Sequence, residues 1–270
     1  MISRPTQYYL PRQTAQLLTA DRIKQCGNLG LLLDKYPPQR VIQESRDKGM
    51  FKSRWLQEIT SNYTVDVRLA ESMYRRWLNM TMAVDAQYFR AATDGRLVVG
   101  LGGETVLETD LTLHHLYGLP FIPGSTLKGV TRAYVTGEIA EHKSLRIDKD
   151  DVTIGRIFGS AQTSGTVVFF DAMPLEGRFT LALDIMNVHY PEYYNAKKLP
   201  TNDQRPNPVT FLTVSNTVFV FALAARNPEQ LEHSNDVITA TKWLQEALQE
   251  YGIGGKTSAG YGYFTLLKNV

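Results

Sequence analysis

Gly252-Ile253-Gly254-Gly255-Lys256-Thr257-Ser258-Ala259-Gly260-Tyr261-Gly262 places five glycines in eleven residues. What flanks this stretch decides the fold. Upstream, Val237, Thr241, Leu244, Leu248 and Tyr251 recur at spacings of three and four, the stripe of a helix that stops at Gly252. Downstream, Tyr261 to Leu267 reads as a strand. Gly255-Lys256-Thr257-Ser258 imitates a nucleotide P-loop. That loop needs a strand before and a helix after, and a glycine five positions before Gly255, where Glu250 stands. An NTPase P-loop is therefore excluded.

Further out, Thr217-Val-Phe-Val-Phe-Ala-Leu223 and Thr166-Val-Val-Phe-Phe170 are β-rich buried runs. Ser125 to about Glu141 reads as a helix with Ser125 as N-cap and Leu127, Val130 and Tyr134 on one face. Met80, Met82, Val84, Ala86 and Tyr88 alternate with polar and small residues, the pattern of a strand with one buried face. The order from residue 81 is strand, helix, strand, insertion, strand, helix, strand. The expected class is α+β, with the ferredoxin-like (RRM-like) βαββαβ arrangement: an antiparallel sheet, both helices on one face, the other face free for a partner. In RNA-recognition modules that partner is single-stranded RNA. The insertion, His189 to Pro208, holds Tyr190, Tyr193, Tyr194 and four prolines without hydrophobic periodicity. Such a stretch inside a compact domain is functional or disordered. Its tyrosines stack on bases or form a small satellite core.

Residues 1–79 read as a helical extension of the domain at 80–270. Gln13 to Tyr36 carries Leu17, Leu18, Ile23, Leu29, Leu32 and Leu33 and ends at Pro37-Pro38. Val41 to Ile59 and Asp66 to Leu78 follow, the last with Val67, Ala70, Tyr74 and Leu78 on one stripe. The chain has 270 residues and a net charge of +2. Residues 1–80 hold 13 basic and 7 acidic side chains, a net of +6, leaving −4 for the rest. This asymmetry fits a polyanionic or acidic partner near the front, or a solvated basic face. One cysteine, Cys26, excludes an internal disulfide and a multi-cysteine zinc site. No apolar run is long enough to span a membrane and the start lacks a signal-peptide core, so a cytoplasmic protein with no membrane partner is expected.

Glycine-rich loops let main-chain N–H groups approach phosphates. Lys256, Thr257 and Ser258 add a charge and two hydroxyls to one. In the Pro123-Gly124-Ser125-Thr126-Leu127-Lys128-Gly129 segment a helix start lies beside Lys128 and Arg132. The other reading of each is a tight turn with a cap. Gly100-Leu101-Gly102-Gly103-Glu104-Thr105 imitates a dinucleotide fingerprint, but Thr105 replaces its third glycine and no simple βαβ unit surrounds it.

Three separated segments together are recognisable. Gly100-Leu-Gly102-Gly103, then Thr112-Leu-His114-His115 through Ile122-Pro123-Gly124-Ser125-Thr-Leu-Lys128-Gly129, then Gly252 to Gly262 resemble the RAMP superfamily of CRISPR proteins. Asn187-Val-His189-Tyr190, Tyr193-Tyr194 and Pro208-Val-Thr-Phe211-Leu212-Thr-Val214 are similar to the family of sixth-named subunits of the type III-B Cmr effector complex. The resemblance covers residues 81–267. It implies a non-catalytic subunit that binds guide RNA (crRNA), and indirectly target RNA, at the head end of the complex near the guide's 3′ portion. Neighbouring RAMP backbone subunits and other Cmr subunits are the implied protein partners. Ser125, Thr126, Lys128, Arg132, Gly254, Gly255, Lys256, Thr257, Ser258 and Tyr261 are then the expected RNA-binding residues. The insertion, about 187–210, is the expected β-thumb, with His189, Tyr190, Tyr193 and Tyr194 against RNA or a neighbour. No metal and no cofactor is expected.

Some RAMP relatives cut RNA with a histidine, and metal-free cleavage needs a base near the 2′-hydroxyl. His114, His115 and His189 are the candidates; adjacent His114 and His115 face opposite ways in an extended segment. Target-cleaving relatives use an aspartate on a loop after the first strand, where Asp94 stands; Asp94-Gly95 also makes an ordinary turn. Asp85 and Asp110 read as a strand and a loop residue. Three readings remain: guide-RNA binding, endoribonuclease, and an assembly protein touching only its neighbours.

Overall fold

The computed structural model describes residues 7–43, 48–103, 105–141, 152–188 and 207–268. Among the described residues six helices come first: α1 Arg12–Leu17, α2 Ala20–Lys24, α3 Leu29–Asp34, α4 Gln39–Ile42, α5 Lys48–Asn62 and α6 Val67–Met82. The single helix expected over 13–36 is thus three. Thr19 caps α2 by accepting from the Arg22 N–H, and Asn28 caps α3 by accepting from the Leu31 N–H. Two good N-caps inside one apolar stripe restart the helix twice.

Five strands form the main sheet: β1 Gln87–Asp94, β3 Val167–Phe169, β4 Met173–Pro174, β7 Val218–Ala225 and β8 Tyr263–Leu267. The order is β3-β7-β1-β8, with β4 also along β7, and every pairing is antiparallel. α7 (Gly124–Glu141) and α9 (Leu231–Glu250) pack together on one face. There Leu127, Leu244 and Leu248 meet Phe89, Phe221 and Phe264. The rings of Phe89 and Phe221 stack at 4.7 Å, and Phe264 meets Phe221 edge-on at 5.6 Å. α8 (Val152–Phe158) is locked to α9 by a fork from Arg156 to Asp236, with bonds of 2.9 and 2.8 Å, and by the Thr166 hydroxyl at 2.7 Å.

Residues on the strands point alternately to the two faces, so Tyr88, opposite Ala222, faces away from Phe89, opposite Phe221. That second face is not free, which corrects the expectation. α6 covers it: Ala70, Met73 and Trp77 pack with Val220, Ala222 and Met173, and Trp77 donates to the Asp171 carbonyl at 3.0 Å. The buried stripe of α6 is Ala70, Met73, Trp77 and Thr81, whereas Val67 is exposed. The strand expected from residue 80 begins at Gln87 instead, because α6 continues to Met82.

A second sheet, unread in the sequence, has the order β2-β6-β5, with β2 Arg96–Leu97, β5 Thr180–Val188 and β6 Asn207–Ser215. β5 and β6 pair from Thr180 opposite Ser215 to Val188 opposite Asn207. The ends of the expected thumb, 187–188 and 207–210, are therefore strand; His189, Tyr190, Tyr193 and Tyr194 lie outside the described residues. α5 packs on β5 and β6, and Leu29, Leu33, Leu56 and Ile59 belong to the same core as the main sheet. No helix among the described residues is long and apolar enough to cross a membrane.

Candidate nucleic-acid interface

The Gly252–Gly262 loop is pinned from both sides. The Gly252 N–H donates to the Ala247 carbonyl at 3.0 Å, closing α9, and Ile253 donates to Gly262 at 2.9 Å. Gly255 donates to Val98 at 2.8 Å and Gly262 to Arg96 at 2.7 Å, tying the loop to β2 and the residue after it. Gly262 has φ +77°, and a methyl there would collide with the Ile253 carbonyl oxygen. Gly254, at φ +92°, would with a Cβ likewise collide with the Val98 carbonyl oxygen. Two close backbone approaches therefore demand glycine.

Lys256 itself sits in the left-handed region, at φ 64°, and starts a 3-10 turn at Thr257–Ala259. Among the described residues the N–H groups of Gly254, Lys256, Thr257 and Ser258 make no hydrogen bond. Successive unengaged N–H groups around a left-handed residue form a concavity suited to an anion. Gly255, whose N–H is held by Val98, is a support of that concavity and not one of its donors.

α7 supplies the opposite wall. Thr126, Gly129 and Val130 face Gly252, Ile253, Gly254 and Thr257 across an open cleft of about 430 Å3. The sequence places these segments more than a hundred residues apart, and the fold brings them side by side. Lys128 is half-buried, and Ser125 and Arg132 are exposed. Among the described residues none of Lys128, Arg132 and Lys256 is in an ion pair. Ser125 is not the helix cap: α7 begins at Gly124, whose N–H donates to the Asp171 carboxylate at 2.7 Å. That carboxylate already occupies the tip of the helix, so the open positive positions run along the cleft and not at its end.

Beside the loop, the Lys256 ammonium lies 5.9 Å from the ring centres of both Phe211 and Tyr261. The Tyr261 hydroxyl donates to Asp184, which also pairs with Arg96. Burial opposes ionisation of Asp184, but hydrogen bonds from Tyr261 and the Ile185 N–H, with the Arg96 charge, outweigh it and hold the carboxyl below its usual range. Burial and the same hydrogen bond push the Tyr261 phenol up. Tyr261 therefore offers a ring face, its hydroxyl being committed. Asp184 and Arg96 went unseen in the sequence, since β5 and β2 were not read as strands, and Phe211 of β6 was read as part of a motif but not as a binding residue.

Of the candidate cleavage residues, His189 lies outside the described residues and His114 is engaged locally. His114 Nδ1 accepts from the Leu116 N–H at 3.3 Å, and its ring packs on Tyr117 at 4.6 Å and Phe121 at 6.0 Å. Burial pulls its pKa down. His115 is exposed. Asp94 is the last residue of β1, opposite Tyr263, and leads into a turn at Gly95, where φ is +84°. Asp85 lies not in a strand but in the turn between α6 and β1, with φ 51°. No group of His, Cys, Asp and Glu among the described residues is placed to hold a metal ion.

The family model of the RAMP superfamily matches residues 90–265. CRISPR system Cmr subunit Cmr6 of Pyrococcus furiosus is 32% identical over an alignment of 323 positions that takes in 87% of this chain and 93% of the relative. CRISPR system CMR subunit Cmr6 of Saccharolobus solfataricus is 23% identical over 245 positions, 88% of this chain and 78% of the relative. A chain in the cryo-EM structure of the type III-B Cmr-beta complex bound to cognate target RNA superposes with a TM-score of 0.62 at 20% identity, over 95% of this chain and 86% of that one, a likeness of fold. The glycine-rich loop and the α7 start opposite it both fall inside the matched span, and the chain belongs to the RAMP superfamily and, within it, to the Cmr6 family.

Proposed function

We propose that this chain is a non-catalytic, RNA-binding structural subunit of a type III-B Cmr RNA-guided effector complex, capping its backbone near the 3′ portion of the guide RNA. Membership of the Cmr6 family supports the place in the complex. The observation that carries RNA binding is the cleft in which Thr126 and Gly129 face Gly254 and Thr257, with Lys128, Arg132 and Lys256 nearby and a run of unengaged N–H groups on one wall. Cations and backbone N–H groups recognise phosphate without reading sequence. Tyr261 and Phe211 add ring surface beside Lys256.

The strand order β3-β7-β1-β8, with α7 and α9 on one face, supports the ferredoxin-like reading of residues 80–270. Residues 1–79 are proposed as a helical extension packed on that domain through a shared core. The antiparallel pairing of β5 with β6 supports reading about 187–210 as a thumb that reaches a neighbouring subunit or RNA.

Co-purification of the affinity-tagged chain with its complex, followed by sequencing of bound RNA, tests the reading. Guide RNA recovered with the other Cmr subunits is the expected result; subunits that assemble with it while crosslinking places no RNA on this chain contradict it. A cleavage assay of the purified chain, with His114→Ala, His189→Ala and Asp94→Ala beside the parent, is expected to give no product from any of the four.

A further inference from the structure

Away from the glycine loop, the front-end helices enclose a cavity of about 520 Å3, within the roughly 300–1,000 Å3 span of small-ligand sites. One wall is a face of α5, where Phe51, Arg54, Trp55, Glu58 and Ile59 recur at helical spacing. Tyr8 and Tyr36 bring two more rings from the other side. The frame is fixed by packing. Lys52 and Leu56, on another face of α5, are buried, with Lys52 donating to the Leu107 carbonyl. The strand-like segment at Tyr8 bridges Pro38, with the Gln39 N–H donating to Gln7 at 2.9 Å.

Three observations describe the ligand. Among the described residues the rings of Tyr8, Tyr36 and Trp55 stack on no other ring, and the Trp55 indole N–H has no acceptor. The rim carries Lys24, Arg40 and Arg54 against one carboxylate, Glu58, which Lys24 already holds at 2.9 Å. The Arg40 guanidinium lies 5.6 Å from the centre of the Phe51 ring, so a cation and an aromatic face are held together. Flat rings beside arginines that no carboxylate of the described residues neutralises suit a nucleotide: the base stacks and the phosphate takes the guanidinium fork. An aromatic side chain from a protein would use the rings but leave both arginines without a counter-charge.

We propose that this cavity binds one unstacked nucleotide, its base against Trp55 and Tyr36 and its phosphate on Arg40 and Arg54. The proposal rests on the reading of the chain as an RNA binder but uses none of the residues of the glycine-loop cleft. The nucleotide comes either from an RNA strand or free in solution.

The test titrates the full chain with adenosine monophosphate, inorganic phosphate and a short single-stranded RNA, following RNA anisotropy and the part of the tryptophan fluorescence that Trp55→Phe removes, since Trp77 and Trp243 also emit. Quenching of Trp55 by RNA is expected; quenching by the mononucleotide as well identifies a free ligand, and by RNA alone a nucleotide delivered by the strand. Trp55→Leu and Arg54→Gln are each expected to weaken RNA binding about tenfold, while Trp55→Phe, which keeps a ring and the packing, retains most of it. Lys128→Glu with Lys256→Glu separates the two sites: it weakens the strand but leaves the Trp55 response at saturating RNA. No Trp55 response to either nucleotide form, an equal response to inorganic phosphate, or unchanged affinity in folded Arg54→Gln overturns the proposal. So does a Trp55→Leu chain that binds RNA normally yet releases a neighbouring subunit, since the cavity is then a protein socket.

Discussion

Gly129 sits in the second turn of α7, exposed, with open space where a Cβ would be, and lines the cleft. Glycine inside a helix costs about 0.5–1 kcal/mol relative to alanine. Gly129→Ala should therefore raise the melting temperature and lower RNA affinity, because the added methyl stands where a strand has to approach. Thermal melts and RNA titrations on one preparation check both; a variant improved in stability with unchanged affinity would remove Gly129 from the interface. Asp236 behaves in the opposite sense, as a structural charge. Burial opposes its ionisation, but the Arg156 fork and the Thr166 hydroxyl outweigh that and hold its pKa below the ordinary 3.8. A carboxyl depressed in the folded state stabilises above its unfolded value and loses that contribution as pH falls through the folded one. Asp236→Asn should cost about 2–3 kcal/mol at neutral pH, the scale of hydrogen bonds to a charged group. The difference from the parent should shrink below pH 3.8; a difference that does not vary with pH contradicts this account.

At the scale of elements, α6 decides what the main sheet can bind. Trp77 is 6% exposed and fills the space between α6 and the sheet, so Trp77→Ala should cost about 3–5 kcal/mol in a denaturant titration. A small loss would mean that α6 lifts from the sheet easily and leaves that face accessible. The front helices share their core with the sheet through Leu29, Leu33, Leu56 and Ile59. A fragment ending at residue 79 should accordingly show no cooperative melt. α7, α9, β3, β7 and β8 were legible in the sequence because their hydrophobic patterning agrees with their packing, even though Ser125 is not the α7 cap. The missed parts have physical reasons. Met80, Met82 and Val84, exposed at the end of α6 and in the turn after it, alternate by chance with polar residues and imitate a strand. From Leu181 to Asp184 consecutive residues of β5 are all half-buried, so the period-two signal that reveals a strand is absent. Both walls of the cleft were legible as motifs, whereas the Asp171 carboxylate at Gly124 and the Asp184–Tyr261 bond depend on distant contacts that no local pattern records.

For the whole molecule, a net charge of only +2 rules out general attraction to a polyanion as the source of affinity, which has to come from where the cations stand. If phosphate contacts dominate, the logarithm of affinity falls with the logarithm of salt concentration by about 0.7 per neutralised phosphate on a single strand. Lys128 and Lys256 lie in the two segments that the fold brings together, neither in an ion pair among the described residues. The decisive measurement is the guide-RNA affinity of the Lys128→Glu, Lys256→Glu double variant across a salt series, with a thermal melt as control for folding. The account predicts a variant that melts like the parent, binds RNA much more weakly at low salt, and has a shallower salt slope by at least one neutralised phosphate. A folded double variant with the parent's affinity and slope would contradict it and reduce both glycine-rich segments to turns.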